Sequence, residues 1–208
     1  TYNSWHFSDY ERQLSDRGLC SYIPMVFRNV VPYYRHFLSV NVAMMCVTPM
    51  DRHGFFNFSG AAGVARGILD KADVVILEVN ERLPRIFGGF DECIHISQVD
   101  CVVEGEHGPL PQVLPEEPEP EERQIADHIF PYIRDGATIQ LGIGGIPRLM
   151  GSMLAQSDVK DLGMHTELCS DAYVDLHEAG KLTNRKKTLL RHKGVTGIAF
   201  GSQRLYDW

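Results

Sequence analysis

A segment rich in proline and glutamate, between Pro109 and Glu122, divides this chain of 208 residues into two parts. Five prolines and five glutamates stand there, and proline supplies no backbone N–H for a helix interior or a central strand. A segment of this composition is extended and solvated, so it predicts a connector between domains. A long surface loop inside one domain is the alternative interpretation.

The part before the connector alternates between helical and strand patterns. Ser8 and Glu11 form a capping box, which predicts a helix that runs to about Arg17 and stops at Gly18. The apolar run from Val40 to Val47 predicts a strand buried on both faces. Helix-like spacing follows at residues 60–71. The patterns then predict three further strands, at residues 73–79, 94–97 and 99–104.

The part after the connector shows the same alternation. The patterns predict helices over 122–134, 147–155 and 171–179, and strands over 137–142, 163–167 and 195–200. Alternating strands and helices indicate an α/β fold of two related units, with open and mostly parallel sheets. We assign residues 1–110 to the latter part of a first domain, 111–122 to a linker, and 123–208 to the first part of a second. Both domains are then incomplete in this chain.

Composition narrows the classes of function. A net charge of −7 argues against nucleic acid or an anionic membrane as the main partner. No window approaches the roughly 18 apolar residues of a membrane span. Five scattered cysteines without a C-x-x-C pair suit free thiols, so we expect a cytoplasmic protein. The nine histidines form no H-E-x-x-H motif, and we expect no metal site.

The strongest local signal is a glycine-rich turn between Asp135 and Pro147. A buried strand leads directly into Gly142, Gly144 and Gly145, and Pro147 suits the first residue of a helix. Exposed N–H groups at such a turn favour a phosphate or a developing oxyanion. The turn lacks the G-x-G-x-x-G and phosphate-loop patterns, and a purely structural strand-to-helix turn is the alternative.

The second signal is Glu167, at the carboxyl end of a predicted strand and just before a capped helix. Ligands of open α/β sheets bind at this edge, where a carboxylate can act as base, metal ligand or nucleophile. A solvated glutamate without a function is the alternative. His165 points to the same side of the strand, and Cys169 has no partner that would mark it as a nucleophile.

With further segments, these residues resemble the family I coenzyme A transferases, in the acetyl-CoA hydrolase/transferase branch that contains the 4-hydroxybutyrate and butyryl-CoA:acetate CoA-transferases. The resemblance covers nearly the whole chain. Ala172 departs from the family pattern, which usually has glycine at this position. The segments that carry it are Thr48-Pro49, Asp51-Arg-His-Gly54, Glu78-Val-Asn80, Pro84, His95-Ile-Ser97, Leu141 to Pro147, His165-Thr-Glu167, Ser170-Asp171 and Gly201 to Tyr206.

The resemblance implies an acyl-CoA:carboxylate CoA-transferase of the acetate, 4-hydroxybutyrate or butyrate type, which works by a ping-pong mechanism. In this reading Glu167 forms a covalent thioester with coenzyme A. The glycine turn contributes to coenzyme A binding through Gly142, Ile143, Gly144, Gly145 and Ile146. No tightly bound cofactor is expected, since coenzyme A is both substrate and covalent intermediate.

The resemblance also implies partners and limits. Acyl-CoA and short-chain carboxylates are the expected partners, and we expect a homo-oligomer. Family members are about twice as long, so we expect this chain to be the middle part of a longer protein. An acyl-CoA hydrolase with the same nucleophile and a catalytically silent CoA-binding fragment are the alternatives.

Overall fold

The computed structural model describes residues 2–89, 91–113 and 117–208. It shows a mixed α/β fold with open, mostly parallel sheets, which confirms the predicted fold class. Each part of the chain builds one three-stranded parallel sheet. In these described ranges no helix is long and apolar enough to cross a membrane.

Among the described residues of the first part, ten elements are α-helices or β-strands. They are β1 (Tyr2–Ser4), α1 (Asp9–Asp16), β2 (Cys20–Tyr22), α2 (Val30–Phe37), β3 (Val40–Val47), β4 (Phe55–Asn57), α3 (Ala65–Leu69), β5 (Ala72–Val79), β6 (Cys93–His95) and β7 (Cys101–Glu104). The parallel sheet has the order β3-β5-β7, while β4 and β6 form a separate antiparallel pair. The capping box at Ser8 and Glu11 is present, as the sequence predicts.

Strand β3 has the predicted bounds, but the prediction that both of its faces are buried was wrong. Ala43 and Val47 are buried against the core, whereas Val42 is half exposed and Met44 is 76% exposed. The strand lies at the edge of its sheet, and the face that carries Val42 and Met44 is exposed. The mostly apolar sequence of this strand therefore does not indicate burial on both faces.

Among the described residues of the second part, seven elements are α-helices or β-strands. They are α4 (Pro120–Ile129), β8 (Thr138–Ile139), α5 (Gly145–Gln156), β9 (Gly163–Cys169), α6 (Asp171–Glu178), β10 (Val195–Ala199) and α7 (Gln203–Asp207). The sheet has the order β10-β9-β8, so β9 lies at its centre. Helices α5 and α6 pack over a core whose fully buried side chains include Leu154, Leu162, Tyr173 and Leu176.

The expected connector is only partly extended. Residues 105–113 and 117–119 contain no helix or strand, and 114–116 lie outside the described residues. Helix α4 begins at Pro120, two residues earlier than predicted, because proline fits the first helical position. The Glu122 carboxylate also accepts a hydrogen bond from the Glu119 N–H at 2.9 Å, which helps to fix this helix start.

The two parts of the chain contact each other through backbone and small residues. The Gly63 N–H donates to the Gly197 carbonyl of β10 at 2.9 Å. A Cβ atom at Gly60 would lie 2.9 Å from the Ala199 Cβ, so no larger residue fits there without movement. The 3-10 turn Ser59–Ala61 is thereby held directly against β10.

The packing of α5 on α6 explains how Ala172 is accommodated. A Cβ atom at Gly151 would lie 2.5 Å from the Ala172 Cβ, so the methyl group of Ala172 occupies space that Gly151 leaves open. Ala172 is 3% exposed and lies in the first turn of α6, directly after Asp171. Ala172 thus fits a regular helix start.

This contact predicts the effect of exchanging the small residues. Gly151→Ala should lower the free energy of unfolding by about 1–3 kcal/mol, the usual effect of overpacking, because two methyl groups would then compete for one site. The double variant Gly151→Ala/Ala172→Gly should regain most of that loss. Urea denaturation of the three proteins measures this, and equal stability of the single variant and the unmodified protein would contradict the packing argument.

Candidate active site

Strand β9 presents alternate side chains to opposite faces, which separates the members of the His165-Thr-Glu167 segment. His165 and Glu167 are exposed, while Thr166 is 4% exposed and points into the second part of the chain. The strand continues to Cys169, so Glu167 lies two residues before its end and not at the end. The prediction that both exposed side chains share one side is consistent with this alternation.

Glu167 lines a cavity of about 1080 Å³ at the junction of the two parts. Neighbouring β10 passes beside it, and a Cβ atom at Gly197 would lie 3.4 Å from the Glu167 carbonyl oxygen. We call this space the large cavity. Most of its walls are apolar, and they include Phe27, Met44, Phe58, Ile143, Leu168 and Ile198.

The strand before the glycine turn is shorter than predicted, and the helix after it is longer. Strand β8 covers only Thr138–Ile139, and α5 begins at Gly145, so Pro147 is the third helical residue and not the first. Its missing N–H still costs nothing there, since the first four N–H groups of a helix have no intrahelical partner. Gly144 precedes the helix with φ of 115°, a backbone conformation that residues with a side chain rarely adopt.

A second cavity, of about 570 Å³, lies on the other side of the glycine turn. We call it the small cavity. Gly142, Gly144 and Gly145 line it, and Ile143 lines both cavities, so the turn stands between them. Ile146 lines neither of them and packs against the apolar core. The structure therefore brings four of the five predicted turn residues to cavity walls, but only Ile143 into the cavity of Glu167.

Three hydroxyl groups hold the glycine turn against β9 and α6. The Tyr173 hydroxyl accepts from the Leu141 N–H at 2.8 Å, and Tyr173 is completely buried. The single proton of the Thr166 hydroxyl lies between the Leu168 carbonyl at 2.9 Å and the Leu141 carbonyl at 3.3 Å, and Ser170 donates to the Gly142 carbonyl at 3.5 Å. Because these side chains bond the backbone, the approach to the turn is fixed although the β8 ladder is short.

Burial affects the acidity of two groups near Glu167. It raises the pKa of Tyr173, so this side chain stays a neutral hydroxyl that can both donate and accept. Burial, assisted by the charge of Asp171, raises the pKa of Cys169 to about 12. Cys169 is therefore a thiol at neutral pH and a poor nucleophile.

The loop after β10 is tied to the start of α6. The Asp171 carboxylate accepts from the Ser202 N–H at 2.8 Å and from the Ser202 hydroxyl. Arg204 forms ion pairs with Asp175 and Glu178, whose carboxylates raise its pKa. The segments Ser170-Asp171 and Gly201 to Tyr206, which are far apart in the sequence, thus meet at the small cavity.

The segment from Asp51 to Gly54 is held by hydrogen bonds to the Asp51 side chain. Asp51 accepts from the N–H groups of Phe55 and His53, both at 2.9 Å, and these bonds, together with Arg85, lower its pKa. The interpretation of Asp51 to Gly54 as a turn is confirmed, since Gly54 has φ of 84°.

Among the described residues, no group of three His, Cys, Asp or Glu side chains could hold a metal ion.

A family model described as acetyl-CoA hydrolase/transferase N-terminal domain matches residues 1–114, which is more than half of the chain. The chain belongs to this family. The match ends within the segment that the sequence marks as a connector, and the glycine turn and Glu167 follow it.

Relatives within the acetyl-CoA hydrolase/transferase family extend over both parts. The chain is 45% identical over 210 residues to the butyryl-CoA:acetate CoA-transferase of Anaerostipes caccae, an alignment that covers 100% of this chain and 47% of the relative. The chain therefore spans about half the length of the curated relatives that it matches.

Two solved structures show the same fold. RipA from Yersinia pestis superposes with a TM-score of 0.92 at 34% identity, covering 100% of this chain and 49% of that one. The 4-hydroxybutyrate CoA-transferase from Porphyromonas gingivalis superposes with a TM-score of 0.82 at 31% identity, covering 99% of this chain and 53% of that one.

The Tyr173 contact gives a test of how the turn is held. Tyr173→Phe should lower the free energy of unfolding by about 1–3 kcal/mol, because the buried Leu141 N–H loses its partner. Tyr206→Phe is the matched control, since its hydroxyl bonds the exposed Pro111 carbonyl and should cost less. Thermal unfolding of both variants measures the difference, and an equal effect would show that the turn does not depend on Tyr173.

Proposed function

We propose that this chain is part of an acyl-CoA:carboxylate CoA-transferase in which Glu167 carries coenzyme A as a thioester. The observation that carries the proposal is the exposed Glu167 carboxylate, in the large cavity and next to a glycine turn fixed by three hydroxyl groups. The names of the relatives support acetate, butyrate and 4-hydroxybutyrate as the substrate class.

The reaction proceeds in two half-reactions. The Glu167 carboxylate attacks the thioester carbonyl of an acyl-CoA, which forms a mixed anhydride and releases the coenzyme A thiolate. The thiolate then attacks the glutamyl carbonyl, so the acyl group leaves as a carboxylate and the enzyme holds a glutamyl thioester. An acceptor carboxylate reverses these steps. Each step exchanges one activated acyl group for another, and the covalent intermediate divides one difficult exchange into easier ones.

The glycine turn suits a binding role beside this nucleophile. Residues Gly142 to Gly145 form the wall between the two cavities, and Gly144 is the N-cap of α5, whose first N–H groups favour negative charge. We propose that the turn contributes to coenzyme A binding. No tightly bound cofactor is needed, because coenzyme A serves as substrate and as covalent intermediate.

The remaining expectations stand as proposals. We assign residues 1–110 and 123–208 to two α/β domains joined by 111–122, and the end of the family match at residue 114 supports this division. Acyl-CoA and short-chain carboxylates are the proposed partners, in a cytoplasmic homo-oligomer. With water as acceptor the same nucleophile would give a hydrolase, and release of free thiol with and without acetate separates the two activities.

The first prediction of this proposal concerns Glu167. A full-length protein that carries this sequence should gain the mass of coenzyme A when it receives acyl-CoA without an acceptor, and borohydride should reduce the thioester to an alcohol on the Glu167 peptide. Glu167→Ala should abolish adduct and turnover. Glu167→Asp should be strongly impaired, since it withdraws the carboxylate by about 1 Å.

Controls make the assignment specific. Glu121→Ala removes an exposed carboxylate in the first turn of α4 and should leave adduct formation unchanged. Peptide mapping by mass spectrometry locates the adduct. An adduct on Cys169, whose raised pKa argues against it, or kinetics that are not ping-pong would refute the proposal.

The second prediction concerns the glycine turn in the same full-length protein. Gly144→Ala should lower kcat by about 10²–10³, the usual effect of losing an oxyanion donor, because alanine disfavours φ of 115° and shifts the N–H groups of the turn. Gly18→Ala is the matched control, since Gly18 also has a positive φ, of 71°, its added Cβ would meet nothing within 4 Å, and it lines neither cavity. Normal kcat in Gly144→Ala would reduce the turn to a structural element.

A further inference from the structure

Ser59 has an unusual conformation on the wall of the large cavity. It is 2% exposed, and its φ of 55° lies in the left-handed region that favours glycine. The Ser59 N–H donates to the Asn57 side-chain oxygen at 2.9 Å. Strained residues of this kind persist only where the surroundings over-determine them, and they cluster at ligand sites.

The surroundings of Ser59 fix its position. The Asn57 side chain is 1% exposed and also bonds the Ile86 backbone, donating to its carbonyl at 2.9 Å and accepting from its N–H at 3.1 Å. On the other side, Gly60 packs against Ala199 of β10. Strand β10 pairs with β9, which carries Glu167. The Ser59 backbone is thus held rigidly relative to the proposed nucleophile.

The Ser59 hydroxyl is available to a ligand. Throughout the described part of the chain every fully enclosed side-chain nitrogen or oxygen has a partner, yet the Ser59 hydroxyl makes no intramolecular hydrogen bond. It therefore keeps its small accessible surface in the cavity that Ser59 lines. Three other polar side chains of this wall already have partners: Arg85 pairs with Asp51, Thr196 bonds the Ile198 carbonyl, and Tyr206 bonds the Pro111 carbonyl.

A carboxylate in this cavity needs a donor. The walls are mainly apolar, and an anion that leaves water for such a site loses free energy unless hydrogen bonds replace its hydration. The acceptor of a CoA-transferase attacks with one carboxylate oxygen and leaves the second to be stabilised by the protein. Pockets of this type fix their ligands through a few placed polar groups.

We infer that the Ser59 hydroxyl donates a hydrogen bond to the non-attacking oxygen of the short-chain carboxylate that accepts coenzyme A from Glu167. The inference rests on the proposed function. In the step concerned, one carboxylate oxygen bonds to the glutamyl carbonyl and the coenzyme A thiolate leaves. The thiolate then attacks the acyl carbonyl of the anhydride, which releases acyl-CoA and the free Glu167 carboxylate. Ser59 neither gains nor loses a proton.

The test follows the second half-reaction by itself, in a full-length protein that carries this sequence. Incubation with acyl-CoA loads Glu167, gel filtration removes the free substrate, and mass spectrometry then follows the loss of the adduct after acetate is added. Ser59→Gly removes the hydroxyl and also relieves the positive φ, so this variant should fold. Its rate constant at low acetate should fall about 10- to 100-fold, as expected for losing a hydrogen bond to a charged group.

Hydroxylamine provides the control, because this neutral nucleophile attacks the same thioester without a carboxylate that needs a donor. The rate of attack by hydroxylamine should be unchanged in Ser59→Gly. Ser59→Ala should show the same slower attack by acetate and the same unchanged attack by hydroxylamine. Equal rates of acetate attack in the unmodified protein and Ser59→Gly, or a parallel fall of both rates, would overturn the inference. An unmodified protein that forms no adduct would instead refute the proposed function on which the inference rests.

Discussion

The hydroxyl groups of Thr166, Ser170 and Tyr173 connect the backbone before α5 to the strand and helix that surround Glu167. A strand of only two residues gives little independent support to a glycine turn. The hydrogen bonds of these side chains replace the strand pairing that the short β8 lacks. Tyr173 is completely buried, so an unpaired Leu141 N–H there would be costly. The geometry of the turn relative to the carboxylate is thus a property of β9 and α6 as much as of the glycines.

Local patterns predicted much of the fold because the responsible interactions are local. The capping box at Ser8, the bounds of β3 and the end of α6 near Gly180 all depend on neighbours within a few residues. The burial of β3 depends on the position of its strand in the sheet, which an apolar run does not encode. The start of α5 was predicted two residues too late. Proline is tolerated throughout the first helical turn, so Pro147 does not mark the first residue of the helix.

The site was predicted unevenly. Glu167 could be singled out because a carboxylate near a strand end is visible in the sequence. Its supporting residues could not, since Tyr173 acts across 32 residues and Thr166 gains its role only from strand alternation. Ser59 gives no sequence signal at all, because its positive φ is imposed by the buried Asn57 side chain and by packing against β10.

The close contacts between Gly60 and Ala199 and between Gly63 and Gly197 act as a spacer of fixed thickness. The Phe27 ring packs beside the second of them, since a Cβ atom at Gly63 would lie 2.7 Å and one at Gly197 would lie 3.7 Å from its carbon atoms. In the proposed CoA-transferase, variation in the size of the acyl group would come from wall side chains such as Met45 and not from these backbone contacts. Evolution or design toward longer acids would accordingly shorten wall side chains and keep the backbone spacing.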